Sequence, residues 1–227
     1  MDDERQLTAR GTVRWTTLGA VAGLVGPVAF TLAWVVGSLR QPGLSFTVVQ
    51  ISGLAALSAR DPWIMITGFL LLGAGAIPFG AALRQALGGW PRSGAGPALI
   101  QAAGLLTIAA GLLRRDHVLL TTGAQSWHNR AHDVVSAIIY VLLIAAPLLL
   151  ARRFRGDRRW RGLAAPLVAA AAASAALLVV FYAAPHQSVD GLLQRIAVTL
   201  PLAALAMVAA RLLLECRRRA AVPVTPG

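Results

Sequence analysis

The chain has 227 residues, of which 57% are hydrophobic and 13% charged, with a net charge of +12 and a mean hydropathy of +0.67. That is more apolar surface than a water-soluble domain of this length can bury, so the composition points away from a soluble globular protein and towards an integral membrane protein. All 21 basic residues are arginine, a bias we attribute to GC-rich coding, and it is their placement along the chain that carries information.

Crossing the ~30 Å hydrocarbon core takes about 20 apolar residues in a helix, because no water is available there to satisfy free backbone groups. The first such stretch, residues 16–39, follows Asp2, Asp3 and Glu4 rather than a basic segment. It also exceeds the roughly 7–15-residue core of a cleaved signal peptide, so it is expected to be a retained span. The connection that follows, 40–61, is the longest in the chain. Its part 46–57 is too apolar for a free loop and too short to span, which predicts a short helix or re-entrant segment covering the mouth of the bundle. A second span at 62–83 and a third at 97–113 are joined by the short segment 84–96. The third is short, and Gly94, Gly96 and Pro97 blur its start. A fourth span is predicted at 127–151, with Ser126 as its N-cap, then an arginine hairpin at 152–161, a fifth span at 162–183 and a sixth at 192–214.

Gly19, Gly23 and Gly26 in the first stretch, Gly73, Gly75 and Gly80 in the second, and the alanine run 169–173 in the fifth suit the close backbone approach by which membrane helices pack. Pro27, Pro78, Pro147 and Pro201 mark kink positions. No internal repeat of the transporter kind is visible. The organisation expected is an N-terminal cytoplasmic segment (1–15), a six-span membrane domain (16–214) and a cytoplasmic tail (215–227), with no separate soluble domain.

If the N-terminus is cytoplasmic, the inner segments hold 15 arginines: Arg5, Arg10, Arg14, Arg84, Arg92, Arg152, Arg153, Arg155, Arg158, Arg159, Arg161, Arg211, Arg217, Arg218 and Arg219. The outer side holds six, Arg40, Arg60, Arg114, Arg115, Arg130 and Arg195. Cytoplasmic loops are enriched in basic residues, so this bias places both termini inside. Trp15, Trp90 and Trp160 then mark the inner interface, and Trp34, Trp63 and Trp127 the outer one. The arginine hairpin lies between two spans, where anionic lipid headgroups are its nearest partners, which argues against nucleic acid. Cys216 is the single cysteine, so there is no disulfide framework. An unmodified thiol is the simplest reading, with reversible acylation of a juxtamembrane cysteine as the alternative.

The interiors of the spans carry essentially no acid or base; Arg195 and Arg211 fall near helix ends, where long side chains can snorkel to the interface. Proton-coupled pumps keep ionisable groups at the midplane, so active transport is disfavoured. Ionisable groups collect instead at the outer mouth: Asp61, Asp116, His117, His128, His132, Asp133, His186 and Asp190. His128 and His132 are one turn apart on one helical face. With Asp116 or His186 brought close they would make a three-ligand zinc site, imidazole and carboxylate being ordinary zinc ligands. The same residue types equally cap helix ends, pair with Arg114, Arg115 or Arg130, or face water. Ser52, in the covering segment beside Gln50, would be a nucleophile if a histidine such as His128 stood next to it.

Several short motifs recur in an order that resembles the DUF998 family of bacterial and archaeal multi-span membrane proteins. They are Ile51-Ser52-Gly53-Leu54, Asp61-Pro62 followed by Thr67-Gly68-Phe69 and Gly73, Asp116 with Gly123 and His128 behind it, Arg159-Trp160-Arg161, and Gly191-Leu192-Leu193-Gln194-Arg195-Ile196. The resemblance covers nearly the whole chain. It implies a fold and topology rather than an activity, and it emphasises Ser52, Asp116, His128 and Arg195. Arg114-Arg115 stands where the resemblance implies an apolar residue and a proline. A Ser, Asp and His set at a membrane face is also similar to that of ceramidase-type membrane hydrolases, which have seven spans and more histidines.

The expectation is therefore an all-α, multi-pass cell-membrane protein with six transmembrane helices, both termini cytoplasmic and membrane lipids as its surroundings. Its polar outer site would bind or sense a lipid or small amphiphile. The alternatives are a zinc-dependent lipid hydrolase using His128, His132 and either Asp116 or His186, and a small-molecule transporter or structural scaffold.

Overall fold

The computed structural model describes residues 2–89, 93–119, 123–183 and 188–221, with side chains from 11 to 220 within those ranges. Among the described residues the chain forms six α-helices: α1 (Asp2–Leu39), α2 (Pro62–Ala86), α3 (Gly96–Leu112), α4 (Trp127–Arg155), α5 (Ala164–Ala183) and α6 (Asp190–Ala221). Each of the six long apolar stretches of the sequence has become a helix, the only open-chain form that satisfies its own backbone in lipid. Five of the helices are long and apolar enough to cross a membrane; α3, with 17 residues, is shorter. The chain is a multi-pass membrane protein. At 1.5 Å per residue α3 reaches roughly 25 Å, and the carbonyls at its end, like those of any helix, need partners from elsewhere.

Each helix packs on its neighbour in the chain, and α6 closes the ring by packing on α1 while also touching α2 and α4. Small residues set the spacing in the first half of the ring. A Cβ on Gly75 would lie 2.7 Å from the carbonyl oxygen of Ala22, and one on Gly104 2.8 Å from that of Gly73. The α1–α2 and α2–α3 seams are thus backbone-to-backbone contacts.

One end of the bundle gathers the C-termini of α1, α3 and α5 and the N-termini of α2, α4 and α6; we call it the cap end. The covering segment predicted at 46–57 is present there, and it is sunk into the mouth rather than laid over it. Val49, Ile51, Leu54, Ala55 and Ala56 are all buried, around a single 3-10 turn at Ser52–Ala55. The segment is tied down from three sides. Leu57 N–H donates to Arg115 O (2.8 Å) and Leu192 N–H to Thr47 O (3.0 Å), and Ile51 N–H donates to Gln194 Oε1 (2.6 Å). Gly53 has no room for a side chain, since a Cβ would run into the Val118 carbonyl. The segment ends at Asp61, a non-glycine residue with φ +52°, whose carboxylate accepts from Arg40 Nε at 2.7 Å just before Pro62 starts α2.

The opposite, arginine end is closed by the turn between α4 and α5. Asp157 accepts from the backbone N–H, Nε and Nη2 of Arg159 at 3.0, 3.2 and 3.0 Å. The Arg159 side chain holds the Asp157 carboxyl below the usual carboxylate range, and that carboxylate raises Arg159 in turn. Trp160 is buried, stacked on Phe154 at 5.0 Å. Trp15, Trp63 and Trp127 are exposed, as side chains of an interfacial belt would be; Trp90 lies outside the described residues. Cys216 is buried, which removes the accessibility that acylation requires.

Candidate functional site

The cap end is assembled by arginines and histidines that bond to backbone carbonyls. Arg114, at the exit of α3, donates through Nε to Ala55 O (3.1 Å) and through Nη2 to Ala56 O (2.9 Å). Arg195 does not snorkel as its position near the start of α6 suggests. It is 2% exposed and donates to Val49 O (2.5 Å), Gly191 O (2.9 Å) and Ser38 Oγ (2.9 Å). Its guanidinium lies 4.6 Å from the centre of the Phe46 ring and 5.3 Å from that of Trp34. Stacking on aromatic rings and hydrogen bonds to carbonyls are what make a buried guanidinium tolerable. Gly191, one turn before it, is required to be glycine because a Cβ would strike the Val49 carbonyl.

Ser126 caps α4, accepting from Asn129 N–H at 3.2 Å. Its own backbone N–H and hydroxyl donate to the two oxygens of Asp116, at 2.8 and 2.7 Å. Those bonds from Ser126, the backbone one first, hold the Asp116 carboxyl below its ordinary value, with a smaller contribution from His128. The α3–α4 connection is therefore organised around one carboxylate.

His128 and His132 lie on one helical face, and the face they share looks at the end of α3. His128 Nδ1 lies 2.7 Å from Arg114 O, and His132 Nδ1 lies 2.9 Å from Ala110 O and 2.7 Å from Leu113 O. A carbonyl only accepts, so in both rings Nδ1 carries the proton and donates. The terminal carbonyls of a helix have no partner within it; His132 supplies one at the end of α3, and His128 supplies one to the chain just past it. Each ring is left with Nε2 free. In His128 it lies 3.7 Å from Asp116 Oδ1; in His132 it is buried and without a hydrogen bond.

Below the cap two cavities adjoin. A vestibule of about 400 Å³ opens between α4, α5 and α6, lined by Gln50, Ser52, Arg115, His132, Asp133, Tyr140, Phe181, Tyr182 and Asp190 among others. A deeper chamber of about 80 Å³ is walled almost wholly by apolar side chains such as Phe69, Leu72, Ile139, Leu143 and Leu202. Ser52, Ser136, Tyr140 and Gln194 line both and form a polar collar between them. Gln194 fixes the collar, donating to Tyr140 Oη at 2.7 Å while its Oε1 accepts from Ile51 N–H. Arg115, 5% exposed, reaches Gln50 Oε1 at 2.8 Å and Ser52 Oγ at 3.4 Å, with Asp133 at 3.9 Å.

The structure therefore brings Asp116 to His128, and Ser52 to Arg115 and the space that His132 also lines. His117 is exposed, and His186 lies outside the described residues. Among the described residues no three His, Cys, Asp or Glu side chains stand close enough to hold a metal. Tyr140, Ser136 and Gln194 were not anticipated as site residues. A signal existed, since His132, Ser136 and Tyr140 recur every four residues and so line one side of α4.

The DUF998 family profile, described as a protein of unknown function, matches residues 24–211. The chain belongs to the DUF998 family. No curated protein and no solved structure matches it. The region matched to DUF998 contains the cap segment, the collar and both cavities, so the site is part of the family's common region rather than an addition at either terminus.

Proposed function

We propose that this DUF998 protein binds an amphiphile, with the headgroup in the vestibule and the apolar tail in the chamber. The observation that carries the reading is the passage from a polar cavity to an apolar one through the collar of Ser52, Ser136, Tyr140 and Gln194. Ligand sites combine mostly apolar walls with a few placed polar groups, and a mostly apolar chamber favours an apolar guest over water. The arginine bias supports a cell-membrane topology with both termini cytoplasmic and α3 as a sixth, shorter span, which turns the vestibule to the outside.

Lipids retained by the full-length protein through detergent purification, identified by mass spectrometry, test this. The wild type should retain one amphiphile above background, and Leu143→Trp, which fills the chamber, should not. Equal background levels in both would sink the reading. In a Cys216→Ser background, cysteine placed at exposed His117 should react in intact cells with a membrane-impermeant maleimide. Reaction only after permeabilisation would reverse the orientation.

A zinc-assisted lipid hydrolase is the second reading. It is favoured by His128 and His132 each anchoring Nδ1 on a backbone carbonyl and keeping Nε2 free, the arrangement that ligating histidines use. His128, His132 and Asp116 do not stand close enough as they lie, so a metal with Asp116 or His186 as third ligand would have to draw its ligands together, and it would then activate a water for attack on an ester. Near-stoichiometric zinc in the purified protein, lost in His128→Ala, would favour this reading over simple binding.

A further inference from the structure

We propose that the amphiphile's headgroup is a protonated primary amine; the proposal rests on the amphiphile reading above and narrows its ligand. Most of the vestibule's hydrogen-bonding groups are committed to one another. Gln194 uses its oxygen on Ile51 and its amide nitrogen on Tyr140, and Arg115 spends Nη1 on Gln50 and Ser52. Two fully buried acceptors remain. Asp190 Oδ1 and His132 Nε2 have no partner among the described residues, although Asp190 is 4% and His132 1% exposed, and both side chains line the vestibule. Leaving such groups buried and unbonded is costly. Both lack the same thing, a donor.

The charge balance points the same way. Against Arg115 the vestibule sets two carboxylates, Asp133 and Asp190. Arg195, five residues after Asp190, is turned away onto Val49, Gly191 and Ser38. The remaining wall is aromatic: Tyr140 and Tyr182 meet edge to face with centroids 6.5 Å apart, and Phe181 meets Tyr182 the same way at 5.0 Å. Ring faces attract cations.

Other headgroup chemistries each fail one of these demands. An anion would meet two carboxylates and two lone pairs. A hydroxyl supplies a single donor and leaves the surplus negative charge, and a quaternary ammonium supplies charge without any N–H. A primary ammonium carries one positive charge and three N–H donors, enough to offer one each to Asp190 Oδ1 and His132 Nε2. Arg115 Nε, also without a hydrogen bond, is then free for the phosphate of an aminophospholipid if the amine is part of one.

The test uses full-length protein in phosphatidylcholine nanodiscs, with binding read by native mass spectrometry and by the thermal midpoint, and with empty discs as the partition control. The probes are dodecylamine, dodecanol, dodecyltrimethylammonium and a short-chain phosphatidylethanolamine. Dodecylamine should bind saturably and about tenfold more tightly than dodecanol or the quaternary amine, the scale of a charge-assisted hydrogen bond. Asp190→Asn should remove that preference while leaving dodecanol unchanged. Should this variant not fold, Tyr182→Leu, at an exposed position, should weaken dodecylamine alone by several-fold. If phosphatidylethanolamine matches dodecylamine and depends on Arg115, the amine is a lipid headgroup; if dodecylamine alone binds, it is a free amine. Equal binding of dodecylamine and dodecanol overturns the amine while sparing the amphiphile reading. No saturable binding by any probe overturns both.

Discussion

Along α1, α2 and α3 the helices meet where glycines let one backbone touch the next, as at Gly75 on Ala22 and Gly104 on Gly73, whereas α4, α5 and α6 are held apart at the cap end by Tyr140, Phe181, Tyr182 and Gln194 and leave a vestibule between them. Backbone contact allows no adjustment, because interiors packed to crystal density respond to a single added methyl group. Aromatic spacers with a cavity behind them can re-pack. The first half of the ring is thus the more tightly locked, and the vestibule opens in the second, while the deeper chamber is walled from both.

The largest effect should come from breaking the tightly locked half. Gly75→Leu forces a branched side chain onto the Ala22 carbonyl, and overpacking of this kind should cost about 3 kcal/mol or more, a large part of a usual total stability. We expect loss of monodisperse protein on size-exclusion chromatography. Ala172→Leu, at an exposed position on α5, should fold and elute as the wild type. If both behave alike, the contrast between the halves is wrong.

Next in size are the histidines that join the two halves. His132 serves two carbonyls of the short helix and is buried, so His132→Ala should lower stability by about 2 kcal/mol, within the range for stranding buried polar groups. His128 is half-buried and serves one carbonyl, and His128→Ala should cost about 1 kcal/mol or less. Thermal unfolding in one detergent ranks the two, and a reversed order would show that the carbonyl contacts are not what the rings contribute.

Arg195→Met sharpens the comparison locally. The lost hydrogen bonds and the relieved cost of burying a cation with no carboxylate beside it oppose each other, so the global midpoint should move little. Amide exchange in residues 47–51 should nevertheless rise by about tenfold, since the peptide carbonyl of Val49 loses its anchor on α6. Unchanged exchange would mean that the cap segment is held by its other bonds alone.

The six apolar runs are legible because each is long and bounded by charge, proline or glycine, but α1 begins at Asp2 rather than near residue 16 and α6 runs on to Ala221, past the predicted 214, because polar residues beyond the apolar run continue the helix. The cap segment was legible as a cover from its length and apolarity. Its depth was not, because what draws it in are partners far along the chain: Gln194 to Ile51, Arg195 to Val49 and Arg114 to Ala55. The same distance in sequence hid the fate of Arg195, which reads as a snorkelling side chain until the Val49 carbonyl and the Trp34 and Phe46 rings arrive beside it. The histidine spacing correctly put His128 and His132 on one face, but spacing cannot say what that face looks at, and it looks at the end of α3. Tyr140 and Gln194 escaped notice because a single uncharged polar residue in an apolar run has no periodic partner until the His132, Ser136 and Tyr140 steps are read together.

The smallest effect expected is a pH dependence confined to acid, at the junction between the halves, the α3–α4 connection. Asp116 accepts two bonds from Ser126, and its carboxyl is held below the ordinary value of 3.8. A folded-state value below the unfolded one means that folding favours the ionised form, so the contribution is fully present above the ordinary value and disappears as pH falls through the depressed one. Stability of the wild type should therefore drop more steeply below about pH 4 than that of Asp116→Asn. Above pH 5 the two curves should run parallel, with the asparagine variant lower because its amide cannot accept both Ser126 donors. Parallel curves down to pH 2 would mean that the carboxylate is replaceable and that the Ser126 cap alone sets the start of α4.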